Sequence, residues 1–234
     1  MTSLQVIAYL IPLGMVRAVC LTSIGITKSV RFRPSPSGGG PIADRRAQRR
    51  DETREQILEA AWSLARERGL TGWSLREVGD AVGMRAPSLY VYFDGKHRIY
   101  DAMFAQGYQQ LLTEIERMPT TGSPLEVLRR IAHGFFDFCV TDPARFQLLF
   151  LRVIPEFTPS PANYALAQNA LDWLRQVFAD LGISHDGALD LWTALNTGLV
   201  SQQISNDPHG DRWAVLIDRA AEMYVDSELA PRPG

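Results

Sequence analysis

Cysteine is scarce: Cys20 and Cys139 are the only two in 234 residues. No CxxC pair or Cys/His cluster occurs, and His97, His133, His185 and His209 are scattered, without HExxH spacing. Structural zinc and zincin chemistry therefore lack their ligands, and no metal is expected. So few thiols fit a reducing compartment, the cytoplasm. Glycine-rich phosphate loops of the GxGxxG and GxxxxGK types are missing too, and no nucleophile–base pairing stands out. Neither an enzyme nor a bound cofactor is expected on those grounds. Strand signals and internal repeats are nearly absent.

Acidic residues are absent from positions 1–43, which carry Arg17, Lys28, Arg31 and Arg33. From Leu4 to Ile26 that stretch is mostly apolar, but Pro12, Gly14 and Arg17 interrupt it. No basic run precedes it, as a secretory signal requires. A central charge disfavours a spanning helix by roughly 2.5–3.5 kcal/mol even on lenient scales. We expect 1–43 to be a disordered extension or the product of a misassigned start, with a membrane tether through 4–26 as the rival reading. RPSPSGGGP at 33–41 reads as a flexible linker, and folding should begin near Asp44.

The chain is 46% apolar and 21% charged, enough for one good core or two small ones. Its net charge of −2 hides an asymmetry. Residues 44–100 hold eleven basic against nine acidic groups, and residues 101–234 hold nine against seventeen. Any polyanion would bind at the front.

Helical periodicity dominates after residue 44. Ile57, Leu58, Ala61, Trp62 and Leu64/Ala65 mark one face of a helix over 47–68, closed by Gly69. Ser74 with Glu77 three residues on is a capping box for a short helix over 75–82. A third helix should start at Ala86–Pro87, where proline needs no intrahelical partner, and run to Tyr92. Further helices are expected over 96–117, 124–140, 143–153, 160–181, 186–205 and 208–228. The fold class is all-α, with about nine helices.

Two short helices joined by Gly83-Met84-Arg85 describe a helix-turn-helix. Leu75, Val78, Val82, Leu89, Tyr90 and Phe93 would face inward, leaving Arg85, Ala86, Ser88, Val91 and Tyr92 outside. The run SLREVGDAVGMRAPSLYVYFDGKHRIYDAM, with TREQILEAAWSLARERGL ahead of it, resembles the N-terminal domain of the TetR family of bacterial transcriptional regulators. Ser74, Arg76, Val78, Gly83, Met84, Leu89-Tyr90, Tyr92-Phe93, Lys96 and Ile99 fall in that family's register. Gly79 and Val82 depart from its usual alanines, Arg85 from its usual capping Ser or Thr, and Pro87 from a small residue.

The resemblance implies a homodimeric repressor on a palindromic operator, released by a small, mostly apolar effector. Its DNA-binding residues would be Ser74, Arg76, Arg85, Ala86, Ser88, Tyr90, Tyr92 and Lys96, with Lys96 on a phosphate. Arg85 suits guanine, since guanidinium can bond O6 and N7 together; a phosphate contact is its other reading. Core packing competes with phosphate contact at Tyr90. Arg45, Arg46, Arg49 and Arg50, ahead of the first helix, read as a basic arm or a solvated tail. The implied domains are 44–95 for DNA and 96–230 for effector binding and dimerisation. Phe135, Phe138, Cys139, Phe146, Phe150, Trp173 and Trp192 are the effector-pocket candidates. Leu191, Leu195, Gly198, Leu199 and Gln202 are the dimer candidates.

Overall fold

Proline and hydroxyl caps set most helix starts. Ser123, Asp142 and Ser160 each accept a first-turn N–H through the side chain, and Pro124, Pro143 and Pro161 follow them. The computed structural model describes residues 41–229, with side chains from 45 onward except that of Ala86. The apolar stretch 4–26, most of the 33–41 linker and Cys20 lie outside the described residues.

Among the described residues there are nine α-helices and no strand: α1 Pro41–Arg68, α2 Leu75–Ala81, α3 Ala86–Leu89, α4 Lys96–Glu116, α5 Pro124–Thr141, α6 Pro143–Phe150, α7 Pro161–Asp180, α8 Ala188–Asn206 and α9 Ile217–Leu229. A single 3-10 turn, Ala214–Leu216, leads into α9. The all-α expectation holds.

Three bounds differ instructively. Helix α1 begins at Pro41, so Arg45, Arg46, Arg49 and Arg50 are helical residues rather than an arm ahead of the helix. Helix α3 stops at Leu89 rather than Tyr92, because Val91, Tyr92 and Phe93 close tight turns onto Ser88 and Leu89. The last helix starts nine residues later than its apolar pattern suggests, after a turn in which Trp213 N–H bonds to Gln203 Oε1 at 2.9 Å.

Helices α1–α3 make the front unit. Helix α4 lies along α7, while α5 packs on α8 and α9. One apolar cluster runs through both halves: Ile57, Trp62, Val78 and Phe93 in front meet Ile99, Tyr100 and Met103 of α4. Helix α1 also touches α6, where Arg66 Nε and Nη2 reach Asp142 Oδ2 at 3.0 and 2.9 Å. Asp142 is buried, and its other oxygen accepts Arg145 N–H at the start of α6. No described helix is long and apolar enough to cross a membrane.

Candidate nucleic-acid interface and helical cavity

Ser74 closes the expected capping box: its hydroxyl accepts Glu77 N–H, and its own N–H donates to Glu77 Oε2 at 2.8 Å. The Ser74 hydroxyl and backbone N–H hold the Glu77 carboxyl below the usual range. Gly83, at φ +68°, then ends α2 with paired bonds. Gly83 N–H reaches Asp80 O, and Met84 N–H reaches Gly79 O at 2.8 Å. That is the six-to-one and five-to-two pattern that reverses a chain after a helix, and its left-handed position suits glycine.

A four-residue helix has no stability of its own, so α3 is held from outside. Leu89 and Phe93 are buried as expected. Arg54 of α1 donates from Nη1 to Tyr92 O at 2.7 Å and lies 4.3 Å over the Phe93 ring. Arg50 donates to Val91 O at 3.3 Å. Arg54 is not among the sequence candidates, and Arg50, read there as part of a basic arm or solvated tail, instead reaches the turn after α3. A Thr53-Arg54-Glu55 run inside α1 reads as solvated surface until the fold brings the turn against it.

Arg85, Ser88, Tyr90 and Val91 are exposed in and around α3, and Arg76 is exposed on α2. Two inward–outward assignments reverse. Tyr90, expected inward, is 56% exposed; Tyr92, expected outward, is partly buried against the core. Helical spacing does not apply past Leu89, where the helix has already ended. Arg85 caps α3 with backbone only and donates no side-chain cap. The side chain of Ala86 lies outside the described residues.

Lys96 is tied inward. Its Nζ donates to Thr71 O at 3.2 Å and Trp73 O at 2.5 Å, and sits 4.2 Å over the Trp73 ring. Burial lowers its pKa. Two of three ammonium donors thus fix the loop leading to the Ser74 cap. Lys96→Ala should therefore lower stability by about 1.5–3 kcal/mol, the range for hydrogen bonds that involve a charged group. A thermal melt checks this; an unchanged Tm with weakened DNA binding would instead assign Lys96 to phosphate.

Behind the front unit, a cavity of about 90 Å³ lies among α4, α5, α6, α7 and α8. Four of the seven pocket candidates line it: Phe135, Phe150, Trp173 and Trp192. Phe138, Cys139 and Phe146 do not. Phe138 lies under the Arg145 guanidinium, 3.7 Å away, beside an outer groove. Phe146 and Cys139 are sealed in the core, and burial pushes the Cys139 thiol well up, an unreactive state. Tyr108, Leu111, Ile115, Leu174, Thr193, Asn196 and Thr197 also line the cavity. Aliphatic lining cannot be told from core by spacing. The polar row Thr193, Asn196 and Thr197, between buried Trp192 and Val200, was the legible clue.

The dimer candidates Leu191, Leu195 and Leu199 line a groove between α8 and α9 with Leu216 and Met223. Leu191 is 51% and Met223 63% exposed. Gly198 and Gln202 are exposed on α8, and a Cβ at Gly198 would meet nothing within 4 Å. Among the described residues no three His, Cys, Asp or Glu side chains are grouped to hold a metal.

Residues 57–103 match the family model for bacterial regulatory proteins of the tetR family. The chain is 28% identical to the HTH-type transcriptional activator FasR of Mycolicibacterium smegmatis, over 80% of this chain and 84% of that protein. It is 28% identical to the HTH-type transcriptional regulator AcrR of Shigella flexneri, over 46% of this chain and 51% of that one. A tetR-family transcriptional regulator from Streptomyces coelicolor superposes with TM-score 0.60 at 22% identity, over 75% of this chain and 79% of that one. The regulator FadR from Bacillus subtilis, solved in complex with stearoyl-CoA, superposes with TM-score 0.55 at 18% identity, over 73% and 97%.

Proposed function

Residues 57–103 make this chain a member of the tetR family of bacterial regulatory proteins, and from that premise we infer a homodimeric repressor, released from a palindromic operator by a small, mostly apolar effector. The chain is a DNA-binding transcriptional regulator, and its named relatives are regulators rather than enzymes. In this reading residues 44–95 grip DNA, residues 96–230 bind effector and partner, and the protein works in the cytoplasm.

One observation carries the effector reading. Helix α6 presents Phe150 to the cavity and, at its other end, Asp142 to Arg66 of α1. Helix α1 in turn holds the turn after α3 through Arg50 and Arg54. An effector that displaces Phe150 acts on a connected set of contacts ending at the recognition helix. Release follows if the effector binds more tightly to the conformer whose recognition helices are mis-spaced for two half-sites about 34–36 Å apart.

The FasR likeness favours a second reading, activation from the bound operator. Deleting the gene should raise transcripts from its own promoter region under repression and lower them under activation. In gel shifts on that promoter, binding should be sequence-specific and weaken steeply with salt. Arg85→Ala should cost about 1–3 kcal/mol against the cognate site and little against random DNA. Equal losses on both would make Arg85 a phosphate contact, and no specific complex at all would refute the DNA reading.

A further inference from the structure

We propose that the cavity takes an uncharged ligand with an apolar, ring-sized body and one hydrogen-bonding group, seated with that group on α8 and admitted past Met118. The proposal rests on the cavity being the effector site. Its wall is sorted by helix. Phe135 of α5, Phe150 of α6 and Trp173 of α7 make an aromatic lining, while α8 alone presents a polar row, Thr193, Asn196 and Thr197. Those positions are i, i+3 and i+4 and share one face of the helix. Asn196 is buried, and its Nδ2 donates to Trp192 O at 2.9 Å, which fixes the amide against its own helix. A ligand hydroxyl or carbonyl placed there exchanges bonds with water for bonds with the amide and the Thr197 hydroxyl, while the Thr193 hydroxyl, which donates to Asp190 O at 3.0 Å, can only accept.

Charge is what the wall cannot accept. Among the described residues Glu114 is the one formally charged member of the lining, and it is exposed. A carboxylate or ammonium drawn inside would lose its hydration and meet no opposite charge at depth.

Access follows from a second set of contacts. At about 90 Å³ the cavity is smaller than the roughly 150 Å³ known to hold benzene, so a ring-sized ligand requires a side chain to move. Met118, Gly134 and Glu114 border both this cavity and an outer groove of about 490 Å³ that Gln110, Asp137 and Arg145 also line. A Cβ on Gly134 would collide with Met118 Cε. The methionine methyl therefore fills the notch left by the missing side chain and partitions cavity from groove. An unbranched thioether has three rotatable bonds and repacks readily. Swinging it aside joins the two spaces.

Calorimetric titration of the full chain at pH 7 with indane, 2-indanol and indane-2-carboxylate tests the proposal on one carbon skeleton. 2-Indanol should bind about fivefold tighter than indane, the worth of one net hydrogen bond, with the carboxylate weakest. Asn196→Leu and Thr197→Val should each bring the indanol-to-indane ratio toward one; the second guards against misfolding of the first. Met118→Ala should quicken association, followed by quenching of Trp173 and Trp192, without altering the ratio. Carboxylate binding as tight as 2-indanol, or a ratio that survives both α8 variants, overturns the ligand class and leaves the cavity reading standing. No binding of any probe to wild type or Met118→Ala overturns both.

Discussion

Leu195→Arg is expected to leave a folded monomer that has lost about a thousandfold or more in operator affinity, falling toward the non-specific level. Leu195 lies in the apolar groove of α8 and α9, between Leu191 and Leu199. In a two-fold interface each residue occurs twice, so one substitution introduces two guanidinium groups. Each unpaired buried charge costs several kcal/mol even after relaxation, enough to dissociate a standard interface. A lone protomer then engages one half-site. The cavity lies on the other face of α8, lined by Trp192, Thr193 and Asn196, so ligand binding should persist. Sedimentation, gel shift and ligand titration on the same sample check all three. Leu195→Met, which conserves volume, should retain dimer and DNA affinity; a dimeric Leu195→Arg would move the interface elsewhere.

The helices were largely legible because their punctuation is local. Ser74 with Glu77 and Ser123 with Pro124 and Glu126 announce helix starts within four residues of sequence. The register of the turn was legible through Gly83 for the same reason. What escaped depends on tertiary contact. Nothing near Lys96 in sequence says that its ammonium will meet carbonyls of Thr71 and Trp73, more than twenty residues earlier. Tyr90 and Tyr92 exchanged places because α3 ends after one turn, and that stop is imposed by packing rather than by a breaker residue. In the cavity, rings at helical spacing divided unevenly: Phe135 and Phe150 line it while Phe146 packs behind. Which ring meets a void is set by helices arriving from elsewhere in the chain.

Those distant contacts give the proposed effector release a physical route between the back unit and the front one. Lys96 stands at the first position of α4, the helix that supplies Tyr108, Leu111 and Ile115 to the cavity. Its ammonium fixes the loop before α2, while α1 receives Arg66–Asp142 from the α6 side. The helix-turn-helix is thus held at both ends by residues whose helices also border the cavity or contact a helix that does. Small shifts in α4 or α6 bear on its two short helices, which lack the length to hold position alone.

Arg54→Ala should then reduce operator affinity close to a thousandfold although Arg54 belongs to α1 and not to the exposed face. Its guanidinium satisfies Tyr92 O just beyond α3 and covers the Phe93 ring. Losing that charge-assisted bond removes about 2 kcal/mol in each protomer. In the proposed dimer two recognition helices engage one operator, so where each loosened helix must be redocked on DNA the loss counts twice, about 4 kcal/mol, or nearly three factors of ten. Ligand binding and dimerisation should be unaffected, because among the described residues none of α1 lines the cavity or the α8–α9 groove. Arg54→Lys should recover only part, since an ammonium cannot lie flat on the ring while bonding the carbonyl in the same geometry. The salt dependence separates this role from a direct phosphate contact. Removing one phosphate contact per protomer lowers the slope of log K against log salt by about 0.9 for each. A displaced α3 weakens binding with the slope for the remaining contacts retained. A slope reduced by about two in Arg54→Ala would place the guanidinium on DNA.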